Sequence, residues 1–186
     1  MSQDPSTEVV ARELRGSILL VTINNPPVNA LGVAVRCGIV AAIDAADADP
    51  AVHAVLIRGI GRNFIAGADI REFGKPPLPP SLPDVCNRIE ACSKPVVAAI
   101  HGAALGGGLE IALAAHYRLA ATDVKLGLPE VQLGLMPGAG GTQRTPRLIG
   151  AKAALDLMLS GRHIGAGEAH ELGLVDRLGS LSLIHI

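Results

Sequence analysis

Apolar and polar positions alternate through "VVARELRGSILLVTI" on either side of Arg15-Gly16-Ser17, the pattern of two antiparallel strands closed by a tight turn. The paired prolines of "NNPPVNALG" then remove backbone donors and fix φ, so this stretch is expected to be a rigid, irregular turn. From Val33 to Ala48 the apolar spacing changes to three and four, which predicts an amphipathic helix ended by "DADP". A strand is expected at "HAVLIRG". After "IGRNFIAGADIREFG" the run "KPPLPPSLP", with five prolines, reads as a mobile surface excursion.

A helix from about Asp84 to Cys92 leads to "KPVVAAIHG", whose almost continuous apolar character predicts a strand buried on both faces. The glycine run of "GAALGGGLE" comes next, then a helix through "LEIALAA". Strands are expected at "YRLAA" and "VKLGL", and helices near "TQRTPRLI", "AKAALDLMLS" and "AGEAHELG". Such alternation predicts an α/β fold with parallel strands and right-handed crossovers.

Composition narrows the function classes. The 186 residues, 49% of them hydrophobic, fit one globular domain. Sixteen Lys and Arg against seventeen Asp and Glu leave a net charge of -1, and one Tyr, two Phe and no Trp supply almost no stacking surface, so no nucleic-acid partner is expected. Cys37, Cys86 and Cys92 form neither a C-x-x-C pair nor a zinc spacing with the histidines and read as free, mostly buried thiols. "MSQDPSTEVV" lacks the pattern of a secretory signal, and the most apolar region, 95 to 109, is too short and too interrupted for a membrane span. The cytoplasm is the default compartment, with a peroxisome or mitochondrion as the eukaryotic alternative.

Three consecutive glycines before a helix cost about 1 kcal/mol each relative to alanine, so the bare backbone calls for a reason. Gly106, Gly107 and Gly108 stand where a helix N-terminus presents unpaired N–H groups. They suit a phosphate, an oxyanion, or simply close packing of helix on strand; no G-x-x-x-x-G-K-[ST] or G-x-G-x-x-G accompanies them. "FIAGAD", residues 64 to 69, is a second bare loop, in which Asp69 reads first as a helix cap. Glu110, in the first turn after the glycines, and Glu130, in "KLGLPEVQLGLMPGAGGTQR", would supply an acid and a base if apolar surroundings raised one pKa. The second glycine cluster, Pro137 to Arg144, reads as another helix entry or a flexible turn, the closely packed turn being favoured, and His101 reads as a hydrogen-bonded core residue. Arg58, Arg62 and Arg71 flank the "FIAGAD" loop and read as solvated surface or phosphate contacts. His163, Glu168 and His170 do not match H-E-x-x-H, and no metal site is assigned.

"NPPVNALG", "GRNFIAGADIREF", "KPVVAAIHGAALGGGLEIALAAHYRLA" and "LGLPEVQLGLMPGAGGTQRTPRLIG" resemble the crotonase family, also called the enoyl-CoA hydratase/isomerase family. The wording near "DVCNRIEACSKPVVAAIHG" is most similar to the N-terminal hydratase half of multifunctional fatty-oxidation proteins. The resemblance runs from Glu8 to Leu178; residues 179–186, ending in "LIHI", resemble nothing expected there and read as a foreign or truncated tail. It implies a spiral of ββα repeats, lacking the family's further C-terminal helices, whose docking surfaces would then be exposed.

By the same resemblance the ligand is an acyl-CoA thioester, with coenzyme A part of the substrate and no separate cofactor. Backbone N–H groups of Ala66 and Gly107 would form an oxyanion hole, Ala66, Gly67, Ala68 and Asp69 would line the coenzyme A site, and Glu110 and Glu130 would be the catalytic carboxylates. Ile65 would narrow the loop. The implied activity is hydration of trans-2-enoyl-CoA in β-oxidation, with Δ3,Δ2-isomerisation as a second capability. A non-catalytic acyl-CoA-binding fragment and another acyl-CoA enzyme of the family are the alternatives. Family members associate as trimers or dimers of trimers, or lie within a longer multifunctional chain.

Overall fold

The N-terminal alternation folds as a hairpin, β1 (Val10–Arg15) running antiparallel to β2 (Ile18–Ile23). The structure, a computed structural model, describes residues 8–180. Beside β2 lie β3 (Ala54–Gly59), β4 (Val96–Ile100), β6 (Tyr117–Ala121) and β9 (Arg177–Gly179), all parallel, in the order β1-β2-β3-β4-β6-β9. A second sheet of three short strands is built from β5 (Ala103–Leu105), β7 (Lys125–Gly127) and β8 (His163–Gly165). β5, β8 and β9 were not legible in the sequence, because three residues are too few to display a period of two. The expectation of parallel strands holds for most pairs; β7 and β8 run antiparallel, as does the hairpin.

The helices follow the apolar spacing. α1 (Val33–Ala48) buries Val35, Ile39, Ala42, Ile43 and Ala46, one stripe at intervals of three and four. α2 (Leu82–Glu90) starts two residues earlier than expected because Ser81 and Asp84 close a capping box. α3 (Gly107–Ala114) is buried on every side, which its run of apolar residues permits. α4 (Gly141–Ile149), α5 (Ala151–Ser160) and α6 (Ala166–Glu171) complete the set. Leu148, Leu155 and Leu159 of α4 and α5 are exposed.

Two units repeat one plan: a strand in the large sheet, a strand in the small sheet, then a helix, as β4-β5-α3 and β6-β7-α4. The loop after β3 joins the pattern through a bridge between Ile65 and Ala104, and α2 follows it. This is the expected spiral of ββα repeats. It brings the segments after β3, β5 and β7 to one edge of the small sheet.

The proline run is a surface excursion, but it is tied down. Buried Arg36 donates to the carbonyls of Pro80 at 2.7 Å and Leu78 at 3.0 Å, and to Glu72 at 2.7 Å. The three cysteines are free; Cys86 and Cys92 are buried, whereas Cys37, expected to be buried, is exposed. Among the described residues no helix is long and apolar enough to cross a membrane, and no cluster of His, Cys, Asp and Glu could hold a metal. The tail read at 179–186 lies, from residue 181 onward, outside the described residues.

Candidate active site

Each of the three glycines is bare for its own reason. Gly106 precedes α3 at φ +50°, and a methyl group there would stand 3.1 Å from Glu130 Oε1. A methyl group at Gly107 would crowd Leu82 and stand 3.7 Å from the Ala68 nitrogen. At Gly108 it would collide with the carbonyl of Ile65. Close packing therefore explains Gly108, while Gly106 and Gly107 open onto a cavity of about 380 Å³.

That cavity is lined by Ala66, Gly67 and Ala68, by Gly106 and Gly107, and by both Glu110 and Glu130. The rest of its lining is apolar and includes Phe73, Leu82, Leu133 and Met136. Asp69 is absent from this wall. Its carboxylate accepts from the Arg71 N–H at 3.0 Å and pairs with the Arg71 guanidinium at 2.7 Å, holding its pKa below the ordinary value. The capping role read from the sequence is the one it fills, while it lines an adjoining cavity of about 260 Å³ with Arg36 and Lys75. Ile65 does not narrow the loop: it is fully buried in the core beneath Gly108.

The expected pairing of Ala66 with Gly107 needs correction. The Ala66 N–H already donates to Val28 O at 3.1 Å. Ala68, two residues on, has no acceptor for its N–H among the described residues. In a regular strand the N–H groups of 66 and 68 would share one side, but Gly67 at φ +127° breaks that regularity and turns them apart, which composition alone does not tell. Gly107 is the first residue of α3 and its N–H has no intrahelical acceptor. Ala68 and Gly107 are therefore among the donors left over at this cavity, and they are neighbours, a Cβ at 107 standing 3.7 Å from the Ala68 nitrogen.

Glu110 is 2% exposed, the one charged side chain of a wholly buried helix. Burial pushes its pKa up; N–H groups of Gly141 and Ala139, and the cation of Arg144, oppose that push. Glu110 Oε1 accepts from Ala139 at 2.7 Å and from Gly141 at 2.8 Å. The cluster from Pro137 to Arg144, read as a packed turn ahead of a helix entry, is the start of α4 and, beyond either reading, the anchor of a carboxylate. Part of the signal was available, since glycine-flanked N–H groups opening a helix suit an anion, but not which anion they meet.

Glu130 sits in a 3-10 turn, Pro129–Leu133, half-buried. Its Oε2 is buried without a hydrogen-bond partner among the described residues. Burial raises its pKa first, and the charge of Glu110 raises it further. Two carboxyls that repel each other across an apolar cavity hold a proton between them more readily than either alone. His101 is a core residue as expected, its Nε2 3.1 Å from Gly61 O. Arg71 is occupied by Asp69, and Arg58 donates to Thr22 Oγ1 at 3.2 Å.

The family model described as enoyl-CoA hydratase/isomerase matches residues 13–183. A peroxisomal bifunctional enzyme of Danio rerio is 54% identical over 89% of this chain and 23% of its own length. A probable enoyl-CoA hydratase of Bacillus subtilis is 47% identical over 85% of this chain and 64% of that protein. A solved enoyl-CoA hydratase subunit from Geobacillus kaustophilus superposes with a TM-score of 0.88 at 39% identity, over 95% of this chain and 71% of that one. The chain thus spans about a quarter of the bifunctional relatives and about two thirds of the bacterial one. On the fold, the ordered motifs and these matches, the chain belongs to the enoyl-CoA hydratase/isomerase family.

Proposed function

We propose that this chain carries the hydratase site for trans-2-enoyl-CoA thioesters of fatty acid β-oxidation. The observation that carries the proposal is one apolar cavity holding two carboxyls of raised pKa, Glu110 buried and Glu130 half-buried, beside the neighbouring unpaired N–H groups of Ala68 and Gly107. The thioester oxygen takes the N–H groups of Ala68 and Gly107, which stabilise it as charge develops there by about 3 kcal/mol per donor. Glu110, fixed by Ala139 and Gly141, orients a water and takes its proton as the water oxygen bonds to C3. Glu130, whose Oε2 has no partner among the described residues, gives a proton to C2. One water is consumed, and the proton gained by Glu110 restores Glu130 for the next turnover.

Coenzyme A enters as part of the substrate along the Ala66 to Asp69 segment, and the reaction needs no separate cofactor. The same two carboxyls can carry a proton between C2 and C4, which makes Δ3,Δ2-isomerisation a second capability. The peroxisomal bifunctional and multifunctional relatives support a place within a longer β-oxidation chain and a peroxisomal setting in a eukaryote.

Loss of the enoyl absorbance of crotonyl-CoA on mixing with this chain tests the proposal. Turnover is expected, and it disappears on addition of a non-hydratable acyl-CoA. Thermal stabilisation by acyl-CoA without turnover would instead mark a binding fragment.

A further inference from the structure

We propose that Arg144 is a positioning residue, a guanidinium brace anchored on α2 that holds the Ala139–Gly141 loop so that its two N–H groups fix Glu110 in the cavity. The inference rests on the reading of Glu110 as a proton carrier. Arg144 is in the first turn of α4, and its side chain is 12% exposed. Its Nη2 donates to Glu90 Oε2 at 2.7 Å and Asn87 Oδ1 at 3.2 Å, both on α2. Its Nη1 donates to Ala139 O at 2.9 Å. Ala139 is therefore held from both ends, its carbonyl by Arg144 and its N–H by Glu110 at 2.7 Å.

Gly140 shows how close the brace lies. It stands at φ +98°, and a Cβ there would collide with Arg144 Nη1, so the guanidinium rests directly against the loop backbone. A planar fork can bond two partners on α2 and one on the loop at once; an ammonium cannot keep that geometry. Three elements place a titratable or charged group toward Glu110: α4 its Arg144, the 3-10 turn its Glu130, and α2 its Cys86, whose thiol burial pushes up to about 12. Arg144 is the cation among them. Removing it takes away a positive charge and loosens two N–H donors, and both changes favour the protonated form of Glu110.

The test uses this chain with Arg144→Met, Arg144→Lys and, as a control, Arg147→Met. Arg147 lies on the same helix and donates only to Gln143 among the described residues. Two quantities are measured: titration of the Glu110 carboxyl by carbon NMR, identified through Glu110→Gln, and kcat and KM for crotonyl-CoA across pH. In Arg144→Met the Glu110 titration is expected to move to higher pH, with kcat down about 10- to 100-fold and KM within about 3-fold. Arg144→Lys falls between, and Arg147→Met matches the unsubstituted chain. Glu110 titrating unchanged in folded Arg144→Met overturns the brace, whether or not crotonyl-CoA is hydrated. Should Arg144→Met fail to fold, an Arg144→Lys variant equal to the unsubstituted chain in titration and kcat overturns it equally. A chain that never hydrates crotonyl-CoA but shows the shifted titration sinks the proposed reaction and keeps the brace.

Discussion

Glu110 and Glu130 line the same cavity, yet the chain holds them in different ways. Glu110 projects from a helix buried on all sides, and one of its oxygens is clamped by two N–H groups. Glu130 projects from a 3-10 turn whose other members reach solvent, and its buried Oε2 meets no donor among the described residues. Leaving a buried acceptor unpaired costs about 1–3 kcal/mol, which a packed structural residue would not retain without return. The difference separates a carboxyl that must keep its place from one that must be free to exchange a proton.

The largest expected effect comes from Glu110→Gln. The amide oxygen can still accept from Ala139 and Gly141, so the fold is expected to survive while hydration falls by about 100- to 10,000-fold. Turnover within a few-fold of normal would reduce Glu110 to an anchor. Next comes replacement of a single peptide N–H by an ester oxygen. At residue 68 it should lower kcat about 100-fold or more, the value of one preorganised donor. At residue 66 it removes the bond to Val28 O and should cost about 1 kcal/mol of stability with little change in kcat. Reversed outcomes would return the donor role to Ala66.

Two glycine substitutions part the carboxyls further. Gly108→Ala drives a methyl group into the Ile65 carbonyl and should destabilise the chain by about 2–3 kcal/mol by displacing the helix that carries Glu110. Gly106→Ala instead presses on Glu130 Oε1, and its loss of turnover should exceed its loss of stability. Thermal unfolding beside crotonyl-CoA kinetics distinguishes the two.

Acid and base act oppositely on the cavity and on the scaffold. Glu110 and Glu130 have folded pKa values raised above their unfolded ones, so they favour the fold at low pH and that contribution is lost as pH rises through the raised values. Asp47 is the reverse. Ser93 and Arg88 hold its carboxyl far below the usual range, so its contribution is full above the unfolded value near about 4 and is lost as pH falls. Asp47→Asn should therefore cost roughly 1–2 kcal/mol at neutral pH and less in acid, read from denaturant midpoints.

Long, periodic segments were legible in the sequence and short ones were not. The α1 and α5 spans, Val33–Ala48 and Ala151–Ser160, coincide with the apolar spacing because sixteen and ten residues display a helical period several times. The small sheet went largely unseen, since its strands have three residues each and exist only through pairing across the chain. At the site, the chemistry-bearing residue types were legible through motifs. What escaped were backbone directions: which of Ala66 and Ala68 spends its N–H, and that the loop at 137–144 turns its donors onto Glu110. Those facts belong to tertiary contacts between segments about 30 residues apart, which no local pattern encodes.

The most direct test is Glu130→Gln, because its free oxygen is what separates a reacting carboxyl from a structural one. Crotonyl-CoA hydration and affinity for a non-hydratable acyl-CoA are measured on the same preparation. Affinity within about 3-fold of normal with turnover reduced at least about 100-fold is the expected result. Near-normal turnover in a folded Glu130→Gln chain would contradict it.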